Sequence, residues 1–310
     1  LTTLRTLRFR EKLEQNQPII TLELSPPRGT DLSGLLKRAS ALKGKVDAIN
    51  VPDCQRSILK MSSMVTSKLI EEETGIETVW QLTCRDRNLI ALQSDLMGAH
   101  ALGLRNILAL TGDPVQVGDQ KDVAKQVFHL DSVRLLDLIR SLNAAKDATG
   151  RELKQGGTDF CPGGALNPFR TQNHAQQMRI RQKLERGLVY FQTQPVYDPE
   201  PVEQVMTLVH EIADQVGVRR PKILVGIIPP RSAEAARFMN SAVAGINIPA
   251  SFIDLLERSE NPQEESIQFC AEVVHKMKGL ADGFHFMPVG MESKSPILMD
   301  ACFSTVSNKG

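Results

Sequence analysis

The residues best suited to chemistry stand at the ends of short apolar runs. Glu23 sits in residues 19–24 (IITLEL), flanked by Leu22 and Leu24 and followed by Ser25-Pro26-Pro27. A carboxylate buried there without a partner costs several kcal/mol, so it either faces an opening of the fold or pairs with a cation such as Arg28. Desolvation by its apolar neighbours raises a carboxyl pKa, which suits a general acid that keeps its proton near neutral pH. Asp113 follows 107–110 in the turn Thr111-Gly112-Asp113-Pro114, where an aspartate serves equally as a turn residue or as a functional group. Gly112 lets a backbone approach a ligand closely. Gln194, in Thr193-Gln194-Pro195, offers a donor and an acceptor together, which suits reading a heterocycle's edge or bracing a loop. Asn50, Asp53, Gln81, Thr83, Asp86, Asn167, Gln192, Arg231 and His285 occupy comparable positions. The set is rich in carboxylates and amides and poor in positive charge.

The elements that position these residues follow from the apolar periodicity. Strand 19–24 precedes a helix through Leu32, Leu35, Leu36, Ala39 and Leu42, and strand 46–51 precedes a helix over 63–72. Strand 78–82 leads to Leu89, Leu92, Leu96 and Ala99, closed by Gly103. Strand 106–110 leads through a polar loop to a helix that Asp131 caps. A weaker strand, 158–161, is followed by a Pro162-Gly163-Gly164 turn and a helix over 173–186. Strand 189–193 precedes a helix through Val202, Val205, Val209, Ile212 and Val216. Strand 222–228 precedes one carrying Ala235, Phe238 and Met239, in which Phe238 reads as a core residue. An insertion (246–258) and a helix through Ile267, Cys270, Val274 and Met277 come before the last strand, 283–287, and a short helix over 295–305.

Eight strand-helix alternations give an α/β fold, either a closed parallel barrel or an open doubly wound sheet. The open dinucleotide fold calls for G-x-G-x-x-G after its first strand, and the chain has SPPRGTD there, so a single (β/α)8 TIM barrel over 1–310 is expected, with a helical insertion before the last strand. Leu4, Leu7 and Leu13 place an N-terminal helix (1–15) against it. In such a barrel the strand ends converge on one mouth.

The 310 residues carry 37 Lys plus Arg against 36 Asp plus Glu, a net charge of +1 that argues against a nucleic-acid partner. No apolar run reaches the ~18 residues of a membrane span, so a cytoplasmic location is expected. The five cysteines are odd in number and form no CxxC pair, and the six histidines form no HxxxH or HExxH, so no metal site is expected. Neither a G-x-S-x-G elbow nor a P-loop is present.

The segments ELSPPRG, QLTCRDRN, NILALTGDP, FQTQPVYD and GIIPPRS, in this order at the ends of the first, third, fourth, sixth and seventh strands, resemble the methylenetetrahydrofolate reductases. The likeness runs over about 5–305, and RDRN with ALQSDLMGAHALG looks most like the reductase half of bifunctional bacterial homocysteine methyltransferase/reductases and like short reductases of acetogenic bacteria. The resemblance implies reduction of 5,10-methylenetetrahydrofolate to 5-methyltetrahydrofolate by NADH or NADPH through a flavin. It makes Glu23 the general acid that promotes opening of the five-membered folate ring. Asp113 becomes the aspartate beside flavin and pterin. A charge ~4 Å from the flavin would disfavour its anionic reduced form by about 4 kcal/mol at an effective dielectric of 20.

On the same grounds Asp53, Gln81, Thr111, Gly112, Asn167 and Lys183 join Asp113 as flavin-binding positions, and Gln194, Glu234 and Phe238 as substrate-binding ones. The chain departs from the family pattern where Gln81 and Asn167 replace histidines. Gln176, Arg179 and Gln182 replace other residues around the distal flavin, and Met291 stands where an arginine contacting folate is expected. These departures leave FAD against FMN open. A flavin-free reductase with direct hydride transfer, or a folate-binding subunit whose partners bring electron carriers, are the alternatives, and self-association is left open.

Overall fold

The computed structural model describes residues 8–15, 17–243 and 245–304. Strands β1 (Ile19–Glu23), β2 (Ala48–Val51), β3 (Thr78–Thr83), β4 (Asn106–Leu110), β5 (Cys161–Leu166), β6 (Tyr190–Pro195), β7 (Lys222–Ile227) and β8 (Gly283–Phe286) close in sequence order into one parallel barrel. β1 pairs with β2 on one side and β8 on the other, and helices fill the crossovers, so the expected (β/α)8 architecture is present. The inserted helix Ala250–Arg258 precedes the helix Pro262–Met277, and Phe252 stacks on Phe269 with centroids 3.7 Å apart to join them.

Side chains on alternate strand positions fill the barrel in layers. At the strand starts Ile19, Ala48, Val79, Cys161, Tyr190 and Leu224 form an apolar cluster that Phe9 and Leu13 of the helix Phe9–Leu13 complete. Phe9 meets Tyr190 edge-on at 5.4 Å, so this helix plugs the bottom of the barrel. The earlier part of the expected N-terminal helix, with Leu4 and Leu7, lies outside the described residues. The expected helix over 295–305 is observed as Ser295–Phe303.

Above this cluster lies a buried polar layer. Asn50 Nδ2 donates to Gln192 Oε1 at 2.7 Å, and Gln192 Nε2 returns a bond to Asn50 Oδ1 at 3.1 Å. Thr21 Oγ1 meets His285 Nδ1 at 2.9 Å. Buried polar groups are tolerated when paired in this way, and the layer gives the mouth above it a polar floor.

The fifth strand corrects the sequence expectation. Pro162-Gly163-Gly164 is strand interior, and β5 begins where that reading ended it. The glycines are there for space: a Cβ on Gly163 would come within 2.3 Å of the Tyr190 ring, whose hydroxyl reaches across to donate to the Ile107 carbonyl. Gly163→Ala is therefore expected to destabilise the protein by about 2–3 kcal/mol, visible as a lower midpoint in urea unfolding.

Candidate active site

Glu23 ends β1, beside Asn50 of β2, with Gln81 of β3 reaching it across the mouth: Gln81 Nε2 donates to Glu23 Oε2 at 3.0 Å. Desolvation pushes the carboxyl up to about 7, the bond from Gln81 opposes this, and the nearby charge of Glu292 adds to it. The alternative of an ion pair with Arg28 is not realised, because Arg28 pairs with Asp119 at 2.6 Å. His285 below, whose pKa burial pushes down to about 3, stays neutral at physiological pH and adds no charge to the floor. Glu23 is thus a half-protonated carboxyl near pH 7, the condition that suits a general acid. Since the Gln81 bond favours the ionised form, Gln81→Leu is expected to raise the Glu23 pKa further. Any rate that depends on the protonated acid then keeps its activity to higher pH, as a pH-rate profile would record.

The loops after β2, β3 and β4 form one braced wall. Asp53 Oδ2 accepts from the Thr83 backbone at 3.0 Å, the Thr83 hydroxyl at 2.8 Å and Arg87 Nη1 at 2.7 Å. Ser63 Oγ donates to Oδ1 at 3.3 Å, so the Asp53 carboxylate is engaged inside the wall. Arg85, 2% exposed, donates to Asp86 and to the carbonyls of Cys54 and Asp113. Thr111 Oγ1 accepts from the Ser132 amide at 3.0 Å, tying the loop to the helix Ser132–Asn143, whose expected cap Asp131 accepts from Val133 and Arg134.

Gly112 has φ +94°, and a Cβ there would lie 3.0 Å from Thr83 Cβ and 3.2 Å from Arg85 Cβ. The close approach that this glycine permits is therefore to the neighbouring loop. Asp113 lies at the surface of the wall, exposed, and its Oδ2 accepts from the Arg56 amide at 2.7 Å. Solvent there weakens any influence of its charge relative to a desolvated carboxylate.

Arg56 escaped the sequence reading. It follows β2 with φ +54°, a conformation rare outside glycine and without a sequence signature. Its guanidinium carbon stands 5.3 Å from the centroid of the Phe238 ring, across the mouth on the helix Ala233–Ala242. Phe238 is 53% exposed, which overturns its reading as a core residue: this helix buries Ala233, Ala236 and Met239 and turns Phe238 to the other side. Glu234, one turn earlier and also exposed, shares the Phe238 face.

The opposite wall comes from β5 and β6. The β6 register shifts between Gln192 and Pro195, and Gln194 lies within this irregularity. Such a bulge re-aims a side chain at a barrel rim. A Cβ on Gly245 would come 3.2 Å from Asn167 Nδ2 and 3.2 Å from Gln194 Cγ, so the segment near Gly245 covers both amides. Asn167 Oδ1 accepts from the Phe169 amide at 2.9 Å, and its carbonyl accepts from Gln176 Nε2 at 2.6 Å.

Lys183, 7% exposed, donates to the Ala165 carbonyl at 2.8 Å, and burial pushes its ammonium down to about 8, with Arg179 acting in the same direction. Beside Thr111, a cavity of about 340 Å³ is lined by Phe128, His129, Leu130, Asp131 and Arg134. Met291 is 2% exposed and belongs to the hydrophobic core. Among the described residues no cluster of His, Cys, Asp and Glu suits a metal ion, and no helix is long and apolar enough to cross a membrane.

The structure thus gathers Glu23 and Gln81 in the mouth, joins Asp113 to Phe238 through Arg56, and sets Asn167 and Gln194 under one segment. It engages Asp53, Thr111 and Gly112 in bracing the loops.

Known proteins resemble the chain in sequence and in fold. A probable methylenetetrahydrofolate reductase (NADPH) of Caenorhabditis elegans is 26% identical over 305 residues, covering 92% of this chain and 42% of its own length. Methylenetetrahydrofolate reductase 2 of Schizosaccharomyces pombe is 23% identical over 256 residues, covering 76% and 37%. The chain therefore spans about two fifths of the length of these curated relatives. Among solved structures, an uncharacterised protein from Clostridium thermocellum that binds two copies of 5-methyl-5,6,7,8-tetrahydrofolic acid shares the fold, with a TM-score of 0.65, 16% identity, and 94% of this chain and 96% of that one covered. The sequence model of methylenetetrahydrofolate reductase matches residues 8–302, from the helix that plugs the barrel to the one that follows β8, and the chain belongs to that family.

Proposed function

We propose that the protein reduces 5,10-methylenetetrahydrofolate to 5-methyltetrahydrofolate with electrons from NADH or NADPH. The observation that carries this reading is Glu23: a carboxyl at the mouth of a family barrel, tuned by desolvation to about 7 and bonded to an amide instead of a cation. Glu23 gives its proton to the ring nitrogen of the bound folate, the bond from that nitrogen to the methylene carbon breaks, and an electrophilic iminium carbon is left to accept hydride. The polar floor of Asn50 and Gln192 and the neutral His285 leave Glu23 without a buried counter-cation that would hold it ionised. Gln194 and Phe238 orient the heterocycle and its ring substituent at the two sides of the mouth.

The residues present fit a flavin at one wall. Lys183 is a buried ammonium with no carboxylate partner among the described residues, and it donates to the carbonyl of Ala165, two positions before Asn167 in the chain, the kind of donor an anionic or heterocyclic group satisfies. A flavin bound there would supply the hydride. Asp53, Thr111 and Gly112 serve it by holding the loops in place, and Asp113 by presenting a negative charge at the rim. FAD and FMN are both compatible with this set.

The reading is tested by the visible spectrum of the purified protein, titrated anaerobically with NADH and then with 5,10-methylenetetrahydrofolate. A flavin spectrum that bleaches and returns is expected. A colourless protein that still makes 5-methyltetrahydrofolate would point to direct transfer from the nicotinamide, and bleaching only with an added protein would make the chain a subunit of an electron-transfer assembly.

A further inference from the structure

Arg56 differs from the other arginines on the loops after β1–β4 in what its guanidinium lacks. Arg28 pairs with Asp119 at 2.6 Å, Arg85 with Asp86 at 2.7 Å, and Arg87 with Asp53 at 2.7 Å and Asp95 at 2.8 Å. The Arg56 guanidinium has no carboxylate partner among the described residues and lies instead over the Phe238 ring.

Its main chain is held on several sides. The amide donates to Asp113 Oδ2 at 2.7 Å, the preceding Cys54 carbonyl accepts from Arg85 at 3.2 Å, and the Leu59 amide donates to Asp119 Oδ1 at 3.2 Å. Gly118 packs so closely that a Cβ there would meet the Ser57 carbonyl oxygen at 2.0 Å. Cys54, Arg56 and Ser57 all adopt positive φ (49°, 54° and 54°) without being glycine. Backbone strain of this kind persists where surroundings over-determine it, and it is found at ligand clamps. Among the described residues the guanidinium, by contrast, has the ring contact alone.

A guanidinium over an exposed ring is weakly held, so a planar ligand can take the ring face at small cost. The displaced group stays at the mouth, always charged, with a fork of donors that matches a carboxylate or a phosphate. We infer that Arg56 is the anion-recognition residue of the site: it yields Phe238 to the aromatic part of a ligand and pairs with the carboxylate or phosphate which that ligand carries. This rests on the proposed function, whose two ligands both join rings to an anion, the folate through its glutamate carboxylates and the nicotinamide through its pyrophosphate.

The test is isothermal titration of the wild-type protein, Arg56→Lys and Arg56→Gln with 5-methyltetrahydrofolate, with 5,6-dimethyltetrahydropterin, which lacks the tail, with NADH, and with dihydronicotinamide riboside, which lacks the phosphates. Arg56→Gln is expected to weaken at least one anionic ligand about ten- to a hundredfold and to spare its anion-free counterpart. Arg56→Lys should retain part of the affinity, and the wild-type advantage should shrink with added salt. The anionic ligand affected identifies the source of the anion. Unchanged affinities, or equal weakening of an anionic ligand and its counterpart, overturn the inference while wild-type binding upholds the site. A wild-type protein that binds none of the four overturns the functional reading, and the inference with it.

Discussion

Replacing Glu23 by Gln is expected to lower the rate of 5,10-methylenetetrahydrofolate reduction by about 10²–10⁴-fold, the usual range for removing a positioned general acid. Binding of 5-methyltetrahydrofolate and oxidation of NADH with an artificial acceptor should survive, because neither needs the proton that Glu23 supplies. The replacement is nearly isosteric and can still accept the bond that Gln81 donates at 3.0 Å, so the mouth keeps its shape. Equal loss of the folate and NADH reactions would make Glu23 a structural residue. Stability provides a second readout. The folded pKa of about 7 lies above the reference value of 4.5, so the neutral form's contribution is fully present below about 4.5 and is lost as pH rises through 7. Glu23→Gln removes that slope, and the variant should gain stability relative to wild type above pH 7.

The second large effect is expected at Asp53. Asp53→Ala takes away an acceptor that serves the Thr83 amide and hydroxyl and Arg87, in a residue 5% exposed. Breaking one side of a buried pair costs about 3 kcal/mol or more, and the Thr83 amide would lose its acceptor as well. Arg87 keeps Asp95, at 2.8 Å, which limits the loss. Denaturant unfolding should show the drop. A variant that keeps full stability but loses flavin would instead make Asp53 a direct ligand of the cofactor.

Both expectations concern residues that stand out in the sequence, yet only one could be read there in its physical role. Glu23 is legible because a charge inside IITLEL has few places to go, and the strand placed it at a mouth. Asp53 is visible as a polar residue at a strand end, but whether it faces a ligand or braces a loop depends on Thr83 and Arg87, some thirty residues away. Most strands and caps follow from local pattern: β4 is the run NILAL, and Asp131 caps its helix as expected. β5 escaped because Pro-Gly-Gly normally signals a turn, and the reasons for its glycines lie elsewhere in the chain, the Tyr190 ring for Gly163 and the Leu188 side chain for Gly164. Phe238 read as core from its spacing near Met239, whereas the packed stripe runs through Ala233, Ala236 and Met239. Arg56 depends on a left-handed backbone in a non-glycine residue, which residue type does not announce.

In the proposed reaction the protonated Glu23 carboxyl, tuned by its surroundings, drives the reduction of the folate. The most direct test is the pH dependence of methylenetetrahydrofolate reduction by the pre-reduced protein, measured for wild type and Gln81→Leu. The rate is expected to be constant at low pH and to fall about tenfold per pH unit above an inflection near 7, with the inflection displaced to higher pH in the variant. A rate that is flat through pH 7, or an inflection that Gln81→Leu leaves in place or moves to lower pH, would contradict this role of Glu23.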